Sequence, residues 1–254
     1  MKLKKLTCAY MCRSLAFVGG IAYLVHTGAR NQSPVRRRST WYEFPIPKGI
    51  RQVSIDIGLY DSIMEVAVDE FVIAIDASLR EVERFKLASM CYDMRRCLLI
   101  NAAVGLPISP FVTLHQSKRE GGSSHITTYD SSVWPMEMRP ATVPLISLKT
   151  VIDSVPQHLT ISKCKTDTNG NDILVIDSAG ESIRRCRTVT IEIVGPEDGT
   201  GPPDQYERAM TIMTQMGFEP ADGYSSAKQL QGSYDLHFSR RNHAKDHAKA
   251  HTLY

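Results

Sequence analysis

The stretch Phe71–Ala77 reads FVIAIDA, apolar at every position but one. Side chains alternate between the two faces of a strand, so this segment needs cover on both. A parallel sheet flanked by helices supplies that cover, and an antiparallel sheet with one wet face does not. Gln52–Gly58 (QVSIDIG), Cys97–Val104 (CLLINAAV), Leu159–Thr168 (LTISKCKTDT) and Thr188–Val194 (TVTIEIV) read as further strands. Shorter ones fall at Phe111–His115, Pro144–Leu148 and Tyr234–Ser239. Val82, Phe85, Leu87, Ala88 and Cys91 recur at helical spacing and predict a helix over Glu81–Met94. Shorter helices are expected over Lys149–Val155 and Asp172–Ala179, and a longer one over Gln205–Met216, stopped by Gly217. Ser117–Pro140 is rich in Ser, Thr, Gly and Pro and reads as a long surface loop, and Pro196–Asp204 as a turn-rich connector. Strands alternating with helices predict an α/β body.

Charge divides the chain. Eight basic residues (Lys2, Lys4, Lys5, Arg13, Arg30, Arg36, Arg37 and Arg38) precede the first acid, Glu43, which leaves 22 basic against 27 acidic residues in the rest. The body is therefore mildly acidic, which argues against a nucleic-acid-binding domain, whose positive charge lies on the folded part. With 43% hydrophobic and 22% charged residues the chain is neither disordered, collagenous nor a coiled coil. At 254 residues it needs no disulfide staples.

Residues 1–40 read as a leader and linker. Lys2, Lys4 and Lys5 precede a mostly apolar stretch whose cleanest run is Ser14–Val25, SLAFVGGIAYLV. This run is short for a membrane span, which takes ~20 apolar residues. A signal peptide, an uncleaved signal anchor and an organellar transit peptide all fit; the first two are favoured and place the body in the secretory pathway or at a membrane. Arg30–Ser39 reads as a basic linker. Asn31-Gln32-Ser33 is formally a glycosylation acceptor, a poor one before Pro34.

The six cysteines (8, 12, 91, 97, 164 and 186) form no metal-type CxxC pair. Cys91 with Cys97, and Cys164 with Cys186, pair if the body is luminal; otherwise they serve as small buried hydrophobes. His243, His247 and His251 share one helix face only if residues 243–254 are helical, and that Lys-rich segment reads as a solvated tail. No metal site is expected.

Acids and glycines stand at the carboxyl ends of the expected strands: Asp56 and Gly58, Asp76, Asp167 and Gly170, Glu192. Ligands of open α/β sheets bind outside those ends. Asp76 closes the second strand, where an acid accepts the hydroxyls of an unphosphorylated ribose. The first loop, Gly58-Leu59-Tyr60-Asp61-Ser62, lacks GxGxxG, which disfavours NAD and ATP. S-adenosylmethionine carries ribose, adenine and a positive sulfonium but no phosphate, and suits an acid-lined crevice.

SIDIGLYDS, VIAIDAS, INAAVG, VPLISLKTVID, SKCKTDTNGNDILVIDSAG, VTIEI, MGFEP and YDLHFSRR occur in the order seen in FkbM-type methyltransferases, and the resemblance spans about residues 50–242. Its most specific piece is Lys165-x-Asp167-x-x-Gly170-x-Asp172. The resemblance implies a class I methyltransferase fold: a Rossmann-like three-layer sandwich around a mostly parallel seven-stranded sheet, its last strand antiparallel. It also implies S-adenosylmethionine as donor and O-methylation as the reaction. Carried over by position, Asp56 and Gly58 lie beside the methionine part of the cofactor, Tyr60 counts among the cofactor-binding residues, Asp76 holds the ribose, and Asn101, Ala102, Ala103 and Val104 lie near the adenine.

The chain departs from the family pattern. The first loop usually reads DxGANxG, and Leu59, Tyr60 and Ser62 replace its Ala, Asn and last Gly. Asn169 stands where a Glu usually precedes the glycine, and Asp172 where a Glu is commoner. Asp167 is the expected general base, with Lys165 on the same strand face to keep it ionised. Strand alternation puts Lys163, Lys165 and Asp167 on one face, and Ser162, Cys164 and Thr166 on the other. Trp134-Pro135, in the long loop, would line an acceptor pocket. Three function classes follow: an O-methyltransferase acting on a glycan, lipid or small-molecule hydroxyl; a degenerate relative that binds a nucleoside or a partner without chemistry; and a nicotinamide oxidoreductase.

Overall fold

The computed structural model divides the chain into two compact units, Met1–Arg37 and Arg38–Tyr254. It describes residues 44, 46–59, 67–88, 96–117, 124–125, 138–194, 204–221 and 234–241, and in the first unit 17–18 and 21–22. Tyr60, Ser62, Trp134, Asn31 and the histidines of 243–254 lie outside the described residues. In the first unit β1 (Phe17–Val18) pairs antiparallel with β2 (Ile21–Ala22). No described helix is long and apolar enough to cross a membrane.

The second unit is α/β, compatible with a Rossmann-like fold. Seven strands form one sheet: β3 (Gln52–Ile57), β4 (Glu70–Asp76), β5 (Cys97–Asn101), β10 (Thr160–Thr166), β11 (Cys186–Ile193), β12 (Phe218–Pro220) and β13 (Tyr234–Arg240). They run in the order β12-β13-β11-β10-β3-β4-β5. The five strands from β11 to β5 are mutually parallel, and β13 runs against both its neighbours.

The doubly apolar pattern explains the layers. Ile73 and Ile75 of β4 point with Val53, Ile55 and Ile57 into the larger core. That core is closed by α2 (Leu148–Asp153), α3 (Asp172–Asp177), a 3-10 helix (Gly180–Arg185) and α4 (Gln205–Gln215). Val72 and Ala74 face the other way and meet Val82 and Phe85 of α1 (Leu79–Ala88), with Cys97 and Leu59. Helices thus lie on both faces, and α1 covers the β4–β5 side of its own.

Four features differ from the sequence reading. CLLINAAV is not one strand: β5 ends at Asn101, and β6 (Ala103–Val104) joins a second sheet, order β6-β9-β7-β8, in which β8 is Ser124–His125. There β7 (Phe111–Ser117) pairs antiparallel with β9 (Met138–Ile146), which takes up the end of the expected loop and the short strand after it. Proline donates no ladder bond, so β9 runs as one strand through two positions, Pro140 and Pro144, that cannot donate to the ladder. The edge strand β12, three residues long and directly after Gly217, left no periodic signal. The fourth difference is a bulge in β10 between Ile161 and Lys163. It shifts the alternation, so Ser162 does not share a face with Cys164 and Thr166. Its hydroxyl donates to Glu70 (2.7 Å) and lies 3.2 Å from that of Ser54, on the opposite face.

Cys97 is disulfide-bonded; Cys164 and Cys186 are free, so its partner lies outside the described residues. Cys164 and Cys186 are buried in the main core. Their thiols hydrogen-bond, and this together with burial pushes the Cys164 thiol above its ordinary range.

Candidate functional site

Parallel register turns isolated polar residues into ranks. Ser54 of β3 pairs with Lys163 of β10, Lys163 with Thr188 of β11, and Thr188 with Ser239 of β13. One step toward the carboxyl ends, Asp56, Lys165, Thr190 and His237 form the next rank. Beyond it stand Asp167, just past the end of β10, and the Glu192–Asp235 pair. The intervening residues Ile55, Val189, Ile191, Leu236 and Phe238 all face the main core. Half of this sheet face is therefore lined by polar groups up to the strands' carboxyl ends, with Ser54, Asp56 and Thr190 buried among them.

Lys165 Nζ donates to Asp167 Oδ2 at 2.9 Å, with side chains 15% and 28% exposed. Burial alone would lower the lysine's pKa; the bond to Asp167 and the charges of Asp167, Asp56 and Asp235 outweigh it and raise it, so the ammonium persists. Asp56 is fully buried. Glu192 Oε2 accepts the Asn169 amide at 3.2 Å, and Asn169 holds a left-handed φ of 51°. Burial, then the charges of Asp167 and Asp172, push the Glu192 carboxyl up to about 8. Asp172, at the start of α3, accepts from the Thr166 hydroxyl (2.6 Å) and the Thr168 (3.0 Å) and Gly170 (3.3 Å) amides. Burial still raises it to about 6 against those bonds. These contacts fix the Thr168–Asn171 turn that carries Asn169 to Glu192.

Gly58 has φ +83°, and a Cβ there would sit 1.7 Å from the Asp167 carbonyl oxygen. The close approach that demands glycine is thus made by the chain's own backbone, the end of β10 against the end of β3. Asp167 N donates to Ile57 O at 2.9 Å and closes the same junction.

Asp76 takes the Leu59 amide on Oδ2 (2.8 Å) and the Ser78 amide on Oδ1 (2.7 Å). It ties the loop after β3 to the start of α1. Burial raises it to about 6, helped by the charges of Glu81 and Asp167 and opposed by the two amides. Asn101 Nδ2 donates to the Asp76 and Ala77 carbonyls (3.0 and 2.9 Å), and Ala102 N donates to Asp76 O. Asn101 and Ala102 therefore hold the rim of the β4–β5 crevice, and Ala102 and Ala103 are buried there.

The structure gathers Asp56, Lys165 and Asp167 at one end of β3 and β10, with Gly58 beneath. Asp76, Asn101, Ala102 and Ala103 form the neighbouring rim. The site residues expected from sequence omitted Thr190, His237 and Asp235 and gave Glu192 no role. Their signal was present: polar residues at every second position of TVTIEI and YDLHF, strands otherwise apolar. Among the described residues no three or more His, Cys, Asp and Glu side chains are disposed to hold a metal. The arrangement sets the Glu192 carboxyl, raised to about 8, near Asp167 and the ammonium bonded to it, a proton acceptor beside a fixed cation. No protein-family model matches the chain, and neither does any curated protein.

Proposed function

We propose that the chain is an S-adenosylmethionine-dependent methyltransferase acting on a hydroxyl acceptor. The carrying observation is the sheet: seven strands in the order β12-β13-β11-β10-β3-β4-β5, with the last described strand alone reversed and inserted between β11 and β12. That is the arrangement a resemblance to FkbM-type methyltransferases implies. Carboxyl groups supply the second support. Asp56, Asp76, Asp167 and Glu192 line the strands' carboxyl ends, which suits a donor with a ribose and a positive sulfonium and no phosphate. Asp76 fits the ribose, since each carboxylate oxygen has a second lone pair beyond the amide it accepts. When bound, the donor supplies an electrophilic methyl group. The chain's residues hold the acceptor in line and receive its proton.

One observation favours a binding module without chemistry. The Leu59 amide caps Asp76 in a loop that lacks the family's second glycine, which narrows the approach to the ribose acid. Isothermal titration with S-adenosylmethionine, S-adenosylhomocysteine and NAD separates the readings. We expect the first two to bind and NAD not to. Binding of NAD alone would indicate an oxidoreductase, and binding of none a degenerate module.

A further inference from the structure

Glu192 and Asp167 differ in what holds them. Asp167 is clamped by the Lys165 ammonium at 2.9 Å. Among the described residues no cation is bonded to Glu192. Asp167 acts on it from just past the end of β10, Asp172 from α3, and Asp235 is its register partner on β13. All three are acids, and the nearby Lys165 is bonded to Asp167. The Asn169 amide, donated from a left-handed turn, fixes one oxygen of Glu192. Asp167 hydrogen-bonds to its carboxyl group.

We propose that the acceptor's proton passes to Glu192, while Asp167, clamped by Lys165, is the fixed charge beside it. The inference rests on the methyltransferase reading and deepens it by naming the acceptor class. Asp56, Asp167 and Asp235 around one lysine repel an acidic acceptor, so the acceptor is an uncharged hydroxyl compound rather than a carboxylic acid. In the step, the acceptor oxygen forms its bond to the methyl carbon. The carbon–sulfur bond breaks with its electron pair going to sulfur, and the hydroxyl proton ends on a Glu192 oxygen. The Glu192 carboxyl, pushed up to about 8, has the basicity expected of a base that works near neutrality. Asp167 is already engaged with the Lys165 ammonium at 2.9 Å and stands beside Glu192 as its fixed neighbour.

The test is a carboxyl-carbon NMR titration of the free full-length protein, with Glu192 assigned through Glu192→Gln. We expect Glu192 to titrate near 8, and Asp167→Asn to move it down toward the ordinary glutamate range. A wild-type Glu192 titrating below about 6 would overturn the proposal, as would indifference to Asp167→Asn. Stability provides a second readout that does not depend on how the Asp167 variant folds. An acid raised in the folded state favours folding fully below its unfolded value, and that contribution is lost as pH rises through about 8. Wild-type unfolding curves should therefore weaken between about pH 4.5 and 8 and level off above, and Glu192→Gln should flatten the part from 6 to 8, above the values of Asp76 and Asp172; an unchanged window counts against the proposal. The function has its own arm. With labelled S-adenosylmethionine, 4-methylphenol should take up methyl with a rate step near pH 8, and 4-methylbenzoate should not. A Glu192 that titrates near 8 in a chain that binds no S-adenosylmethionine overturns the methyltransferase reading and leaves the proton-sharing pair standing. Transfer without the rate step overturns the role given to Glu192.

Discussion

The two faces of the central sheet were written by the same strands and obey different rules. On one, Ile55, Ile57, Val189, Ile191, Leu236 and Phe238 meet α2, α3, the 3-10 helix and α4 in a dry core. On the other, one residue along, Asp56, Lys165, Thr190, Glu192, Asp235 and His237 form ranks of hydrogen-bonding groups. A strand has only two faces, so each polar residue was accommodated by removing an apolar one from the second core. That core shrinks to the small cluster under α1, around Val72, Ala74 and Phe85. Apolar packing fills one face and polar ranks the other, and substitutions at neighbouring positions should separate their contributions.

The faces meet at Gly58, and the largest effect is expected there. A methyl group added at 1.7 Å from the Asp167 carbonyl cannot be accommodated by rotating a side chain, because the obstacle is backbone. Gly58→Ala should cost ~4 kcal/mol or more, among the largest single-residue effects. Gly217 shares the φ of +83° but has open space around its Cβ position. Gly217→Ala should lose only the left-handed penalty, about 1–2 kcal/mol. Urea unfolding of the two variants separates crowding from conformation; equal losses would mean that the strand junction can open.

How far the fold was legible follows the same division. The core face could be read because apolar runs such as FVIAIDA have one physical solution, burial on both sides. Strands β3, β4, β10 and β11 were placed within a few residues on that ground. The polar face was legible only as scattered acids, since register depends on how strands pair and not on the strands themselves. Asp56, Asp76 and Asp167 were named because each ends a strand. Thr190 and His237 were not, because a threonine and a histidine 47 residues apart acquire meaning only when pairing brings them to 3.1 Å. The bulge that carries Ser162 over to the polar face has no mark in LTISKCKTDT. The short edge strand β12, framed by Gly217 and Pro220, offers too few positions for any period to show.

A direct comparison uses two adjacent residues of β11. Ile191 is fully buried in the main core. Ile191→Ala removes its branched side chain and leaves a cavity that the sheet and α4 cannot fill without moving, so it should cost about 3 kcal/mol. The loss should appear in thermal unfolding with the carboxyl titrations of the opposite face unchanged. If Ile191→Ala also displaced the Glu192 titration, the faces would be coupled through the backbone of β11.

The smallest effect belongs to Thr190, also nearly buried, whose hydroxyl lies 3.1 Å from Nδ1 of His237. Thr190→Val keeps the shape and removes the hydroxyl, so no cavity forms and β propensity is retained. What is lost is one neutral hydrogen bond, a net ~0.5–1 kcal/mol. The exposed His237 can exchange this partner for water, which puts the expected loss at the lower end of that range. The informative outcome is therefore not stability but the ranks themselves. Thr190 stands between Lys165 and His237, and replacing its hydroxyl with a methyl group places an apolar break in the middle of a polar row. If that surface receives a hydroxyl compound, Thr190→Val should weaken acceptor use with unfolding nearly unchanged. A stability loss as large as that of Ile191→Ala would instead make the second face a core like the first.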